Sequence, residues 1–129
     1  MRRWLSIGMY LLATASTGDI ACRHAVTATP PSLDRLTTAC DANDGHACYL
    51  AAERWRTGEG TPADPAKAVT LYDRACTLGD PVGCYDFASA LSDGDGIAAD
   101  RTRAAATFER GCKLGDEESC KARRELDGK

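Results

Sequence analysis

The stretch Cys76-Thr77-Leu78-Gly79-Asp80-Pro81-Val82-Gly83-Cys84 decides the reading of this chain. It lies between two alanine-rich segments and carries a cysteine at each end. Such a stretch can be a redox site, a metal site or a covalent staple, and the rest of the sequence chooses among them. A shift of 36 residues upstream gives CDANDGHAC, Cys40 to Cys48, and the same shift downstream gives CKLGDEESC, Cys112 to Cys120. Each pair has seven residues between its cysteines. Other positions keep the step: Asp44, Asp80 and Asp116; Gly58 and Gly94; Gly60 and Gly96; Asp64 and Asp100; Tyr72 and Phe108; Leu78 and Leu114. A fixed period in the range of roughly 20–50 residues is the mark of a solenoid of small repeated units.

One unit reads as two helices. In Pro65 to Leu78, Asp64 suits an N-cap and Pro65 the first helical position. Ala68, Val69, Tyr72, Ala75 and Cys76 then fall on one apolar face at helical spacing. Gly79 suits a helix end, and Asp80-Pro81 opens the next helix, which carries Cys84, Tyr85, Phe87, Ala88 and Leu91 and stops in Ser92-Asp93-Gly94-Asp95-Gly96. The same rules predict helices over 32–42, 46–57, 65–78, 81–92, 100–114 and 117–126, and no alternating strand pattern competes. The expected fold is all-α, an α/α solenoid of about six antiparallel helices.

Each cysteine pair therefore flanks a tight helix-to-helix turn. Antiparallel helices joined so closely bring the two ends of the turn together, and a disulfide can close across each hairpin. Pairing is not in general deducible from sequence, but the repeat favours Cys40–Cys48, Cys76–Cys84 and Cys112–Cys120. Closing a loop of this size should stabilise by about 2–3 kcal/mol. Zinc sites use cysteines two to four residues apart with matching histidines. Here only His24 and His46 occur and neither recurs. A CxxC redox motif is also missing from the sequence. Staples are the reading that remains, with no metal and no cofactor expected.

The chain has 129 residues, a net charge of −3 and no basic stripe of the kind that nucleic acid requires. Aromatics are only 6%, so the core must be built from Ala, Leu, Val and Cys. A core so thin needs covalent help, and disulfides need an oxidising compartment. Residues 1–21 read as a signal peptide: Arg2 and Arg3 precede an uncharged apolar run to Ala15, too short for a permanent membrane span. Two cleavage readings stand. Ala13-Thr14-Ala15 is an A-x-A site that would release a chain starting at Ser16. Ile20-Ala21-Cys22 looks like the end of a lipoprotein box, with Cys22 lipidated, although Asp19 stands where that pattern wants an apolar residue. Cys22 is also the cysteine left over when the other six pair. Residues 22–31 then form a flexible tether, and 32–129 the repeat domain.

The carrying residues are Ala51-Ala52, Trp55, Gly58-Glu59-Gly60, Asp64, Lys67-Ala68, Tyr72, Ala75 and Leu78-Gly79. They return as Phe87-Ala88, Leu91, Gly94-Asp95-Gly96, Asp100, Ala104, Phe108, Gly111 and Leu114-Gly115. Together they resemble Sel1-like repeats, a branch of the tetratricopeptide-like α/α solenoids, over about residues 32–126. The cysteine pair in each hairpin is similar to the secreted cysteine-rich, Hcp-type subgroup. Leu91 at an aromatic site and Arg103 in place of the lysine before Ala104 are mild departures. In the last helix Arg123, Arg124 and Asp127 stand where Ala51, Ala52 and Trp55 stand in the first repeat. A polar terminal face of this kind is expected where an array closes, so the array is expected to be complete at its C-terminus.

The resemblance implies a concave surface lined by the first helix of each pair, hence by Leu50, Glu53 and Arg54, then Asp86, Ser89 and Ala90, then Glu125. The implied partner is a protein or peptide, with membrane contact only through an anchor at Cys22. The subgroup has also been linked to β-lactam binding or slow hydrolysis, so a weak β-lactam-binding enzyme is the alternative, and a secreted effector or inhibitor a third. Serine acyl-enzyme chemistry wants S-x-x-K and K-T-G, and Ser32-Leu33-Asp34-Arg35 lacks the lysine. Neither HExxH nor a phosphate-binding glycine loop is found in the sequence. His46 has no organised partner for catalysis. No catalytic residue is assigned, and the expected function is that of an exported binding scaffold of the bacterial envelope.

Overall fold

A computed structural model describes residues 29–129. The proposed signal peptide, most of the tether and Cys22 lie outside the described residues. Within them are six helices and no strand: α1 (Leu33–Asp41), α2 (Gly45–Thr57), α3 (Pro65–Thr77), α4 (Pro81–Asp93), α5 (Arg101–Lys113) and α6 (Glu117–Asp127). The six sequence-predicted spans agree with these to within one or two residues.

Local chemistry sets each boundary. Ser32, Asp44, Asp64, Asp80, Asp100 and Asp116 are the N-caps, and each side chain accepts a hydrogen bond from the backbone N–H three residues on. That occupies one of the four N–H groups that a helix start leaves without an intrahelical partner. Inside the three hairpins the turn reverses at one repeat position, held by Asn43, Gly79 and Gly115 with φ of 68°, 92° and 99°. Only glycine, and asparagine next best, adopts this left-handed backbone cheaply. The next residue is the N-cap of the following helix, and its N–H donates back to Ala39, Ala75 or Gly111. Turn and cap are thus one motif of few residues.

Consecutive helices pack side by side, and α2, α4 and α6 also touch across repeats, weakly. No comparable contact joins α1 to α3 or α3 to α5. The α2/α4/α6 layer is therefore the inner, tighter face of the curve and α1/α3/α5 the outer. The core runs between the layers through Ala52, Val69, Tyr72, Phe87, Leu91 and Phe108, all at most 6% exposed. A smaller cluster of Leu36, Ala47 and Ala51 joins α1 to α2.

The disulfides are Cys40–Cys48, Cys76–Cys84 and Cys112–Cys120, with Cα atoms 4.6, 4.3 and 4.5 Å apart. Helices this close admit only small side chains beside the bridge. In the α3/α4 hairpin the pair is Ala75 and Gly83, where a Cβ added to Gly83 would stand 2.6 Å from that of Ala75. In the α5/α6 hairpin the assignment is reversed: Gly111 faces Ser119, and a Cβ on Gly111 would stand 2.9 Å from the Ser119 Cβ and closer still to its hydroxyl. Overpacking of this kind costs about 1–3 kcal/mol. Gly111→Ala is expected to destabilise by that amount in urea unfolding, and adding Ser119→Gly, which recreates the α3/α4 arrangement, is expected to recover most of the loss.

Candidate functional site

The inner layer carries a groove along α4. One part, a cavity of about 140 Å³, is lined by Arg56 of α2, by Ala68, Val69 and Tyr72 of α3, by Asp86, Ser89, Ala90 and Asp93 of α4, and by Asp95. A second part, of about 170 Å³, shares Ser89 and Asp93 and continues to Phe108 of α5 and to Ala122, Glu125, Leu126 and Lys129 at the C-terminal end. The helical period places Asp86, Ser89 and Asp93 on one stripe of α4, while Phe87, Ala88 and Leu91 turn into the core.

A polar network lies beneath the groove. Arg56 holds Glu53 in a two-pronged contact, Nε to Oε1 at 3.0 Å and Nη2 to Oε2 at 2.6 Å. The Tyr72 hydroxyl donates to the same Oε1. Tyr72 is otherwise buried, and its only wet end meets this carboxylate. The hydrogen bond from Arg56 keeps Glu53 below the usual carboxylate range, assisted by that from Tyr72. Burial, then the hydrogen bond to Glu53, pushes the Tyr72 phenol up, so it stays a donor at physiological pH. Tyr49 packs 6.1 Å from Tyr72, ring to ring, and His46 stacks on Tyr49 at 5.8 Å. His46 Nδ1 sits 3.1 Å from Oδ2 of Asp80, whose other oxygen caps α4. His46 is thus a surface group engaged in joining two hairpins.

Asp86 stands apart from this network. It is half-buried, and burial followed by the Glu53 charge raises its pKa to about 6, with Arg56 opposing and Asp116 and Asp80 adding to the rise. A carboxyl with a raised pKa beside an open cavity is a candidate functional group.

Of the residues expected on the concave face, Asp86, Ser89, Ala90 and Glu125 line the groove. Glu53 lies beneath it, committed to Arg56 and Tyr72. Leu50 packs instead with the Leu36, Ala47 and Ala51 cluster under α1. Arg54 pairs with Glu59 at 2.6 Å. Arg56, Asp93, Asp95 and Lys129 belong to the groove and were not expected there. Arg56 and Asp93 were signalled by their helical spacing from Glu53 and Ser89, whereas Asp95 and Lys129 lie past the ends of α4 and α6. Among the described residues no group of His, Cys, Asp and Glu is placed to hold a metal ion, and no helix is long and apolar enough to cross a membrane.

The Sel1 repeat family model matches residues 45–80 and 81–116, which are α2 with α3 and α4 with α5. Among solved structures, Helicobacter pylori cysteine rich protein B is similar at 31% identity and a TM-score of 0.68, over 70% of this chain and 68% of that one. A Sel1 repeat protein from Oxalobacter formigenes is similar at 25% identity and a TM-score of 0.69, over 72% and 70%. The third, c5321, is a protective antigen of uropathogenic Escherichia coli strains with an SLR fold. It is similar at 25% identity and a TM-score of 0.63, and the match covers 67% of this chain and 19% of that one. No curated protein is similar enough to match.

The raised Asp86 pKa fixes a direction for stability. Between about pH 4 and pH 6 the unfolded chain has released this proton while the folded protein retains it. The native state then binds more protons, and this group's contribution to stability falls as pH rises. Asp86→Asn removes the contribution. The thermal midpoint of Asp86→Asn minus that of the parent should therefore grow from pH 4 to pH 7, by scanning calorimetry or circular dichroism.

Proposed function

The chain belongs to the Sel1 repeat family, in its disulfide-stapled, cysteine-rich form, and from that premise we propose that it is an exported scaffold of the bacterial envelope. It binds a segment of a partner protein along the α4 groove. The observation that carries the reading is the state of the groove's charges. Arg56 is spent on Glu53, so the side chains left facing the groove are Asp86, Asp93, Asp95 and Glu125 against Lys129. Between them lie Val69, Ala90, Phe108 and Leu126, and Ser89. An apolar floor edged by carboxylates suits an extended segment that alternates apolar and cationic side chains.

Export is supported by the bridges and by the N-terminus. Three disulfides persist only where the compartment is oxidising. The charged start and apolar run before Ala15 fit a secretory signal. A lipid on Cys22 would tether the scaffold to a membrane and give the seventh cysteine a use. The likeness to Helicobacter pylori cysteine rich protein B fits this cysteine-rich character.

A photo-crosslinking side chain at Ser89, in protein produced in its native envelope, is expected to capture a discrete partner that the same group at exposed Glu109 does not capture. Peptides from the captured region should bind the purified protein with a salt-sensitive affinity. The pair Asp86→Asn and Asp93→Asn should weaken that binding about tenfold or more, at about 1 kcal/mol for each lost charge contact. Equal capture at Ser89 and Glu109, or peptide binding indifferent to both substitutions, would sink the reading.

A further inference from the structure

The three bridges are not equally protected. Cys40, Cys48, Cys76 and Cys84 are at most 4% exposed. Cys112 and Cys120 are only half-buried, and they join the last hairpin. A thiolate must reach a sulfur to attack it, so an exposed disulfide is the one that exchanges, while a sealed one waits for the fold to open.

The helix beyond this bridge is weakly held. Ser119 is the only buried residue of α6, and its hydroxyl has no partner. Ala122 and Leu126 reach the core but stay partly exposed. Where α2 and α4 bury Ala51, Ala52, Phe87 and Ala88 completely or nearly so, α6 carries Arg123 and Arg124, the first half-exposed and the second exposed. Contacts of α6 are with α5 and, weakly, α4. A single tie from Arg101 to the Leu126 carbonyl, 2.6 Å, fastens its far end. With so little apolar area covered, the closed loop at Cys112–Cys120 contributes a large share of what keeps α6 docked.

We propose that Cys112–Cys120 is a reducible latch on α6, opened by an external dithiol while α1 to α5 stay folded. One thiolate of the dithiol attacks a sulfur of the bridge, that S–S bond breaks, and the other cysteine leaves as a thiolate. The second thiol of the dithiol then resolves the mixed disulfide. Two electrons and two protons have passed to Cys112 and Cys120, and the dithiol has become a disulfide. Release of α6 removes Ala122, Glu125 and Leu126 from the groove and uncovers Phe108. This consequence for binding rests on the groove reading given above, whereas the order of reduction does not.

The test is timed treatment of the intact oxidised protein with limiting dithiothreitol, alkylation, and mass mapping of each cysteine, alongside hydrogen exchange. Cys112 and Cys120 are expected to be alkylated about tenfold or more ahead of the other four, with protection lost from α6 alone. Simultaneous labelling of all six, earlier opening of Cys76–Cys84, or an α6 that stays protected after its bridge is reduced would each overturn the latch. A Cys112→Ser/Cys120→Ser variant should match the singly reduced protein in exchange. Peptide binding measured on that variant reports on the groove separately: a peptide that binds the parent and not the variant supports the coupling. A peptide that binds both equally removes it.

Discussion

The structure depends on the crossing of two helices at a turn, locked by a disulfide between the last turn of one and the first turn of the next. Every hairpin repeats it. The bridge draws the Cα atoms to between 4.3 and 4.6 Å, and the residues beside it must then be alanine, glycine or serine. The turn must reverse within few residues, hence the left-handed Asn43, Gly79 and Gly115, followed at once by an aspartate cap. Small side chains at the crossing leave little apolar surface to bury. The covalent bond and the thin core are thus two sides of one arrangement.

Stacking these clasped hairpins produces the candidate site. The inner layer brings α2, α4 and α6 together, so residues 36 apart in sequence fall into a row. In the first repeat the row is closed off: Glu53 is bound by Arg56 and Tyr72, and Leu50 is covered from α1. In the second it is open, with Asp86 at the position of Leu50 and Ser89 at that of Glu53. The closed network lies beneath the groove, and its Glu53 charge adds to burial in raising the Asp86 pKa. A scaffold of identical backbone units has been made asymmetric by a handful of side chains.

Much of this is legible in the sequence. The period of 36, the Asp-Pro starts and the glycine stops locate the helices, because capping and φ > 0 are local and strict in which residues they accept. The pairing of cysteines follows from the same repeat. The concave residues are a different matter. Asp86, Ser89, Ala90 and Glu125 are placed by periodicity, but whether a groove residue is free depends on the rotamers and neighbours of long side chains. Arg54 turns to Glu59 and Arg56 to Glu53, and the second repeat has no counterpart of either arginine, carrying Ala90 and Ser92 there. The exchange of small residues between Gly83 and Gly111 is visible only once the helices are known to cross beside the bridge. The unequal burial of the three bridges likewise comes from α6 having no further helix packed on it within residues 29–129.

Full reduction of the protein followed by far-ultraviolet circular dichroism and urea unfolding tests the central claim that the bridges hold the array. Three closed loops at about 2–3 kcal/mol each amount to a large part of the roughly 5–15 kcal/mol that stabilises a domain. The account expects the fully reduced chain to lose most of its helical signal, or to unfold at far lower urea than the oxidised protein. A reduced protein with the oxidised midpoint and an undiminished helical signal would show that side-chain packing alone holds the helices, and would contradict the account.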